Sequence, residues 1–140
     1  MSKISFIFYW VFFAVLNLKA SEYEITVLAT NTANFGGIGE WSFSALLESD
    51  DEKILFDTGF NENTVLHNAN LLGKDLSQVE KVILSHFHGD HTGGLIKLRK
   101  TFKEINPKAF STVYVADGFF EQRYDENLSL IHISEPTRPC

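Results

Sequence analysis

Cysteine is almost missing from this sequence: the single copy is the last residue, Cys140, which excludes a disulfide-stapled mini-protein. Proline is scarce, with three copies in 140 residues, and no glycine period runs through the chain, so collagen-like architecture is excluded as well. Low-complexity tracts and internal repeats are lacking, and 44% hydrophobic residues against 21% charged ones exclude a disordered polar chain. No apolar run reaches the roughly 20 residues that a membrane span needs. Abundance lies elsewhere, in thirteen phenylalanines and in acidic charge, with a formal net charge of −6.

The two ends read differently from the middle. Lys3 precedes an apolar stretch from Ile4 to Leu16 that is broken only by Ser5, and Ala20 before Ser21 offers a small residue for cleavage. Residues 1–20 are therefore expected to be an export signal, and the protein to be periplasmic or secreted, without stable membrane association once the signal is cleaved. Residues 128–138, LSLIHISEPTR, resemble the conceptual translation of a transposase-adapter sequence used in DNA library preparation. On that reading residues 128–140, His132 and Cys140 among them, are an artefact outside the fold.

Residues 21–127 carry nine Lys or Arg against seventeen Asp or Glu, a net charge of −8. A body so acidic is not expected to bind nucleic acid or anionic lipid.

Hydrophobic patterning places strands at 24–29, 41–48 and 53–57, the last two joined as a hairpin by the acidic turn Asp50-Asp51-Glu52, which reads as a solvated tip. Val65, Leu66, Ala69 and Leu72 recur at helical spacing ahead of Gly73, a natural helix stop. Val82 to Leu84 is a further strand. Leu95, Leu98 and Phe102 mark one face of a second helix, and Thr112 to Ala116 a last strand. Strands first, then helix and strand alternating, imply a layered α/β fold.

The chemistry concentrates in His86-Phe87-His88-Gly89-Asp90-His91, between a buried strand and a helix. Imidazole nitrogen and carboxylate oxygen are the donors that suit zinc, and with more oxygen ligands iron or manganese. In extended backbone, residues two apart share a side, so His86 and His88 can share one ion, while a turn at Gly89 brings Asp90 and His91 to a neighbouring one. Two divalent ions are expected.

The other candidates are weaker. His67 stands alone on its helix and is expected to be a surface or packing residue. The Gly36-Gly37-Ile38-Gly39 loop lacks the Lys-Ser/Thr ending of a phosphate cradle, although its position permits a role at the rim of the site. Core or edge packing is favoured over substrate contact for Trp41, and a solvated helix face over anion capture for Lys97, Arg99 and Lys100.

His86, His88, Asp90 and His91 match the His-x-His-x-Asp-His signature, and the sequence here resembles the metallo-β-lactamase superfamily. Asp57-Thr58-Gly59 and Thr92-Gly93-Gly94 are similar to that superfamily's other elements, and residues 68–76 look most like its branch of dihydropterin-linked phosphate synthases and related hydrolases. The resemblance implies the N-terminal half of an αββα sandwich, with the remaining metal ligands beyond Asn127. It implies two metals, His86 and His88 on the first and Asp90 and His91 on the second. Asp90 would also orient water as the catalytic residue, and Asp57 would hold a ligand histidine from behind. The alternative reading for Asp57 is a carboxylate capping nearby backbone.

The expected function is hydrolysis of a small-molecule ester, lactone, amide or phosphodiester by metal-activated water. The alternatives are a non-catalytic metal-binding or sensor protein, and an inactive fragment whose lone sheet exposes an apolar face. Oligomeric state is left open.

Overall fold

A computed structural model describes residues 22–121, so the expected signal segment and the adapter-like tail lie outside the described residues. Five strands form a single sheet in chain order: β1 (Tyr23–Ala29), β2 (Ser44–Ser49), β3 (Lys53–Phe56), β4 (Lys81–Leu84) and β5 (Thr112–Val115). The first two pairings are antiparallel and the last two parallel. Antiparallel neighbours can be joined by tight turns, whereas parallel ones need a crossover, and helices supply it here. Helix α1 (Thr64–Leu71) lies between β3 and β4, while the single turn α2 (Gly89–Thr92) and helix α3 (Leu95–Phe102) lie between β4 and β5.

Alternation along the strands sorts the sheet into two faces. Leu46 pairs with Leu55, and Leu55 with Val82. All three are buried, in one core with Val65 and Ala69 of α1 and Leu98 of α3. The opposite face carries Val27, Ala45, Phe56, Ile83 and Tyr114 in register. Ile25, Val27, Leu47 and Tyr114 are exposed there. Among the described residues this is one sheet with one helical layer, an open, partial version of the expected αββα sandwich.

The acidic tip of the β2–β3 hairpin is held by Ser49, whose Oγ accepts from the Glu52 amide (3.1 Å). Helix α1 ends as expected at Gly73, whose φ of 68° is left-handed and suits a residue without Cβ.

Two expectations need correcting. The Gly36–Gly39 loop does not overhang the histidine cluster but packs on α1. The Asn68 amide group donates to the Leu28 and Ile38 carbonyls (2.7 and 2.9 Å) and accepts from the Ile38 N–H (2.9 Å). His67 bonds the Gly36 carbonyl through Nε2 (2.8 Å), so its role is in this packing. Arg99 is not simply solvated: its Nη1 donates to the Pro107 and Ala109 carbonyls (2.8 and 2.6 Å), tying α3 to the loop before β5.

Candidate metal centre

Parallel strands β3 and β4 end at the same edge of the sheet, and the chain leaves both there, a common place for ligand sites in open α/β sheets. Asp57 follows β3 and residues 85–91 follow β4, so topology alone brings the two motifs together. Asp57 is only 1% exposed and sits at φ 53°, a left-handed conformation that costs a non-glycine residue energy. Its surroundings hold it there: the Asp57 N–H donates to the Ile83 carbonyl (2.8 Å), and the side chain receives three further bonds.

Those bonds set the state of the cluster. Asp57 Oδ1 accepts from the Ser85 N–H (2.8 Å), and Oδ2 accepts from Ser85 Oγ (2.8 Å) and from His91 Nδ1 (2.7 Å). Ser85 has one hydroxyl proton, which it donates in the hydrogen bond to Asp57. The 2.9 Å contact between Ser85 Oγ and His86 Nδ1 therefore requires His86 to donate, which leaves the lone pair of His86 on Nε2. His88 Nδ1 lies 2.8 Å from that nitrogen. His91, donating through Nδ1, likewise keeps its Nε2 lone pair, 3.6 Å from Asp90 Oδ2. Asp57 thus bonds both a ligand-type histidine and nearby backbone, combining the two readings that the sequence left as alternatives.

His86, Asp90 and His91 each offer a ligand atom, and these atoms lie within 4.8 Å of one another. Two imidazole nitrogens and a carboxylate oxygen in one cluster are a donor set that fits a borderline divalent ion. The expected neighbours His86 and His88 also lie together, with Nε2 and Nδ1 2.8 Å apart. After Ser85 the chain turns, with the His88 N–H donating to the His86 carbonyl (3.0 Å). The His86 ring then faces both neighbours, with centroids 4.5 Å from His88 and 4.1 Å from His91.

Residues 86–93, the candidate metal loop, are bound to their surroundings by backbone. The Thr58 N–H donates to the His91 carbonyl (2.7 Å), the Gly93 N–H to Gly59 (2.9 Å) and the Phe43 N–H to Asp90 (3.3 Å). Gly93 explains part of its motif, since a Cβ there would fall 1.9 Å from the Phe60 carbonyl oxygen.

Two cavities flank the cluster. One of about 540 Å³ is lined by Trp41, Phe60, His88, Gly89 and Asp90. The other, about 100 Å³, is lined by residues including His86, His88, Asp117 and Glu121. Trp41 is 79% exposed, so the packing role expected for it is replaced by a position on a cavity wall. Phe60 and Glu40 are site-building residues that sequence reasoning missed. Glu40 receives bonds from Ser42, Phe60, Asn61 and Thr64. Burial pushes its carboxyl up, but these four donors together outweigh that and hold it below its ordinary value.

Residues 42–108 match the sequence profile of the Metallo-beta-lactamase superfamily. The 7,8-dihydropterin-6-methyl-4-(beta-D-ribofuranosyl)-aminobenzene-5'-phosphate synthase of Methanocaldococcus jannaschii is 32% identical over 114 residues, 73% of this chain and 38% of that protein. The Anti-Pycsar protein Apyc1 of Paenibacillus sp. (strain J14) is 32% identical over 88 residues, 61% of this chain and 33% of that protein. Among solved structures, Tm1679, a metal-dependent hydrolase of the beta-lactamase superfamily, is 39% identical with a TM-score of 0.48, covering 55% of this chain and 27% of its own. The chain spans about a third of the length of the curated relatives it matches. Its described residues match a partial metallo-β-lactamase-like sandwich, and their residue pattern is consistent with a metallo-hydrolase of this superfamily.

Proposed function

We propose that this protein is an exported metal-dependent hydrolase acting on a small-molecule ester, lactone, amide or phosphodiester. In this reading His86, His88, Asp90 and His91 ligate two divalent ions, zinc foremost. The observation that carries it is the convergence of His86, Asp90 and His91 at the carboxyl end of parallel strands, with Asp57 bonded to His91 from behind. Divalent-metal chemistry at such residues acidifies a water molecule and polarises a carbonyl or phosphoryl oxygen. The chain's own residues supply the rest. Asp57 and Ser85 keep the His86 and His91 lone pairs on Nε2, and Asp90 holds a carboxylate oxygen beside His91, where it can orient a water proton. Trp41 and Phe60 wall the approach. Similarity to the dihydropterin-linked synthase over 73% of the chain supports placing the protein near that branch.

Export rests on Lys3, the apolar run Ile4 to Leu16 and Ala20. Among the described residues, no helix is long and apolar enough to cross a membrane. Sequencing the first residues of the protein recovered outside the cytosol is expected to read Ser21 first; an intact Met1 on cytosolic protein would remove this part of the proposal.

Full-length protein loaded with zinc, iron or manganese is to be assayed on one ester, lactone, amide and phosphodiester each. Turnover of at least one class, lost with a chelator and in Asp90→Asn, is the expected result. Stoichiometric metal without turnover of any class would turn the assignment to a metal-binding or sensor protein.

A further inference from the structure

Glu40 lies in the β1–β2 connection, is partly buried, and accepts hydrogen bonds from four residues. Its Oε1 accepts from Ser42 Oγ (2.7 Å) and the Phe60 N–H (2.7 Å), and its Oε2 accepts from the Asn61 N–H (3.1 Å) and Thr64 Oγ1 (2.8 Å). Helix α1 has no side-chain cap of its own at Asn63, so Glu40 brings a negative group to that helix start from a distant part of the chain. Gly59 leaves room for it: a Cβ at that residue would fall 2.9 Å from Glu40 Oε1.

The two segments that this carboxylate joins, residues 40–43 and 58–61, are the ones that hold the metal loop by its backbone. Phe43 donates its N–H to the Asp90 carbonyl, and Gly59 donates to the Phe43 carbonyl (3.1 Å). Thr58 grips the His91 carbonyl with both its N–H (2.7 Å) and its Oγ1 (3.1 Å). The carbonyls gripped belong to two of the three clustered residues, so any slip between these segments is passed to Asp90 and His91.

We infer that Glu40 is a positioning residue of the metal centre, acting on Asp90 and His91 through the Phe43 and Thr58 backbone. The inference rests on the proposed metal site. Outer partners that orient ligands commonly carry 10- to 100-fold in metal affinity. Acting through backbone one step further out, Glu40 is expected at the low end of that range.

The test is cobalt binding to the full-length protein, read by its visible absorption bands, with zinc affinity measured by competition. Glu40→Ala is expected to weaken both metals by about 10-fold and to alter the cobalt bands. Glu40→Gln keeps one acceptor oxygen while placing a donor where Asn61 and Thr64 also donate, so it should give an intermediate affinity; it carries the test if the alanine variant does not fold. Leu76→Ala removes a buried side chain from the segment between α1 and β4, away from these contacts, and should lower the melting temperature without changing metal affinity. If Glu40→Ala or Glu40→Gln lowers the melting temperature while affinity and cobalt bands stay at wild type, Glu40 is structural only and the inference is overturned. If wild-type protein binds neither metal, the hydrolase reading itself fails, and this inference with it.

Discussion

His91 donates through Nδ1 to Asp57 Oδ2 across 2.7 Å, and this one bond decides which nitrogen of His91 can meet a metal. The same carboxylate accepts a hydrogen bond from the Ser85 hydroxyl, and Ser85 Oγ in turn accepts one from His86 Nδ1. One buried aspartate thereby sets the tautomers of two histidines, directly for His91 and through a serine for His86.

Replacing that carboxylate tests the relationship. Asp57→Asn puts a donor where at least one of three donors now finds an acceptor, so the ring of His91 or the Ser85 hydroxyl loses its partner. Zinc affinity, measured by chelator competition, is expected to fall by about 10- to 100-fold. An unchanged affinity would mean that Asp57 serves the backbone alone.

Protonation of Glu40 has a predictable direction. Its carboxyl lies below the ordinary 4.5 in the folded protein, so the unfolded chain takes up a proton first as acid is added. The stability contributed by the ionised group is fully present above that ordinary value and is lost as pH falls through the lower, folded-state value. Chemical denaturation of wild type and Glu40→Gln should therefore show a gap at pH 6 to 7 that narrows below about pH 4.5. A gap independent of pH would place the effect in shape and not in charge.

Much of this site was legible in the sequence because its parts are local. The spacing of His86, His88, Asp90 and His91 is read within six residues, and Asp57-Thr58-Gly59 announces a strand end. The hairpin, both long helices and the strand order follow from period-two and period-3.6 patterning that core packing did not override. Illegible features depend on partners far along the chain. Glu40 meets Phe60 and Asn61 some twenty residues later, and those partners are backbone N–H groups, which leave no residue-type signal. Arg99 finds two carbonyls in the same way. The approach of His86 to Asp90 and His91 depends on the turn of the chain after Ser85, which residue spacing alone does not fix. Trp41 falls within the strand expected at 41–48, where an aromatic packs, whereas the strand begins only at Ser44 and leaves the indole exposed.

Gly93→Ala is expected to be among the most damaging single changes near the site. The new methyl group would meet the Phe60 carbonyl oxygen at 1.9 Å and the Gly89 carbonyl oxygen at 2.9 Å, both backbone atoms that cannot rotate away. Relief requires the metal loop to separate from residues 59–60, breaking the Gly93–Gly59 hydrogen bond. Loss of stability of about 3 kcal/mol or more, with loss of metal binding, is the expected outcome by thermal melt and cobalt titration, since overpacking costs 1–3 kcal/mol even where side chains can yield. A stable, metal-binding Gly93→Ala protein would show that the two loops are not held as closely as described.

Trp41 separates a role in substrate contact from one in packing. An indole that is 79% exposed contributes little to the folded state, so Trp41→Ala should leave the melting temperature close to wild type. The same ring forms a wall of the 540 Å³ cavity with Phe60, His88, Gly89 and Asp90, a volume in the range of small-molecule sites. Aromatic contacts contribute about 0.5–1.5 kcal/mol beyond buried area, so KM for a substrate bearing a flat apolar group should rise by about 2- to 12-fold. For a substrate of the same reacting bond without such a group, KM should not move. A fall in melting temperature with no such difference between the two substrates would return Trp41 to packing, since a ring that only stabilises the loop affects both substrates alike.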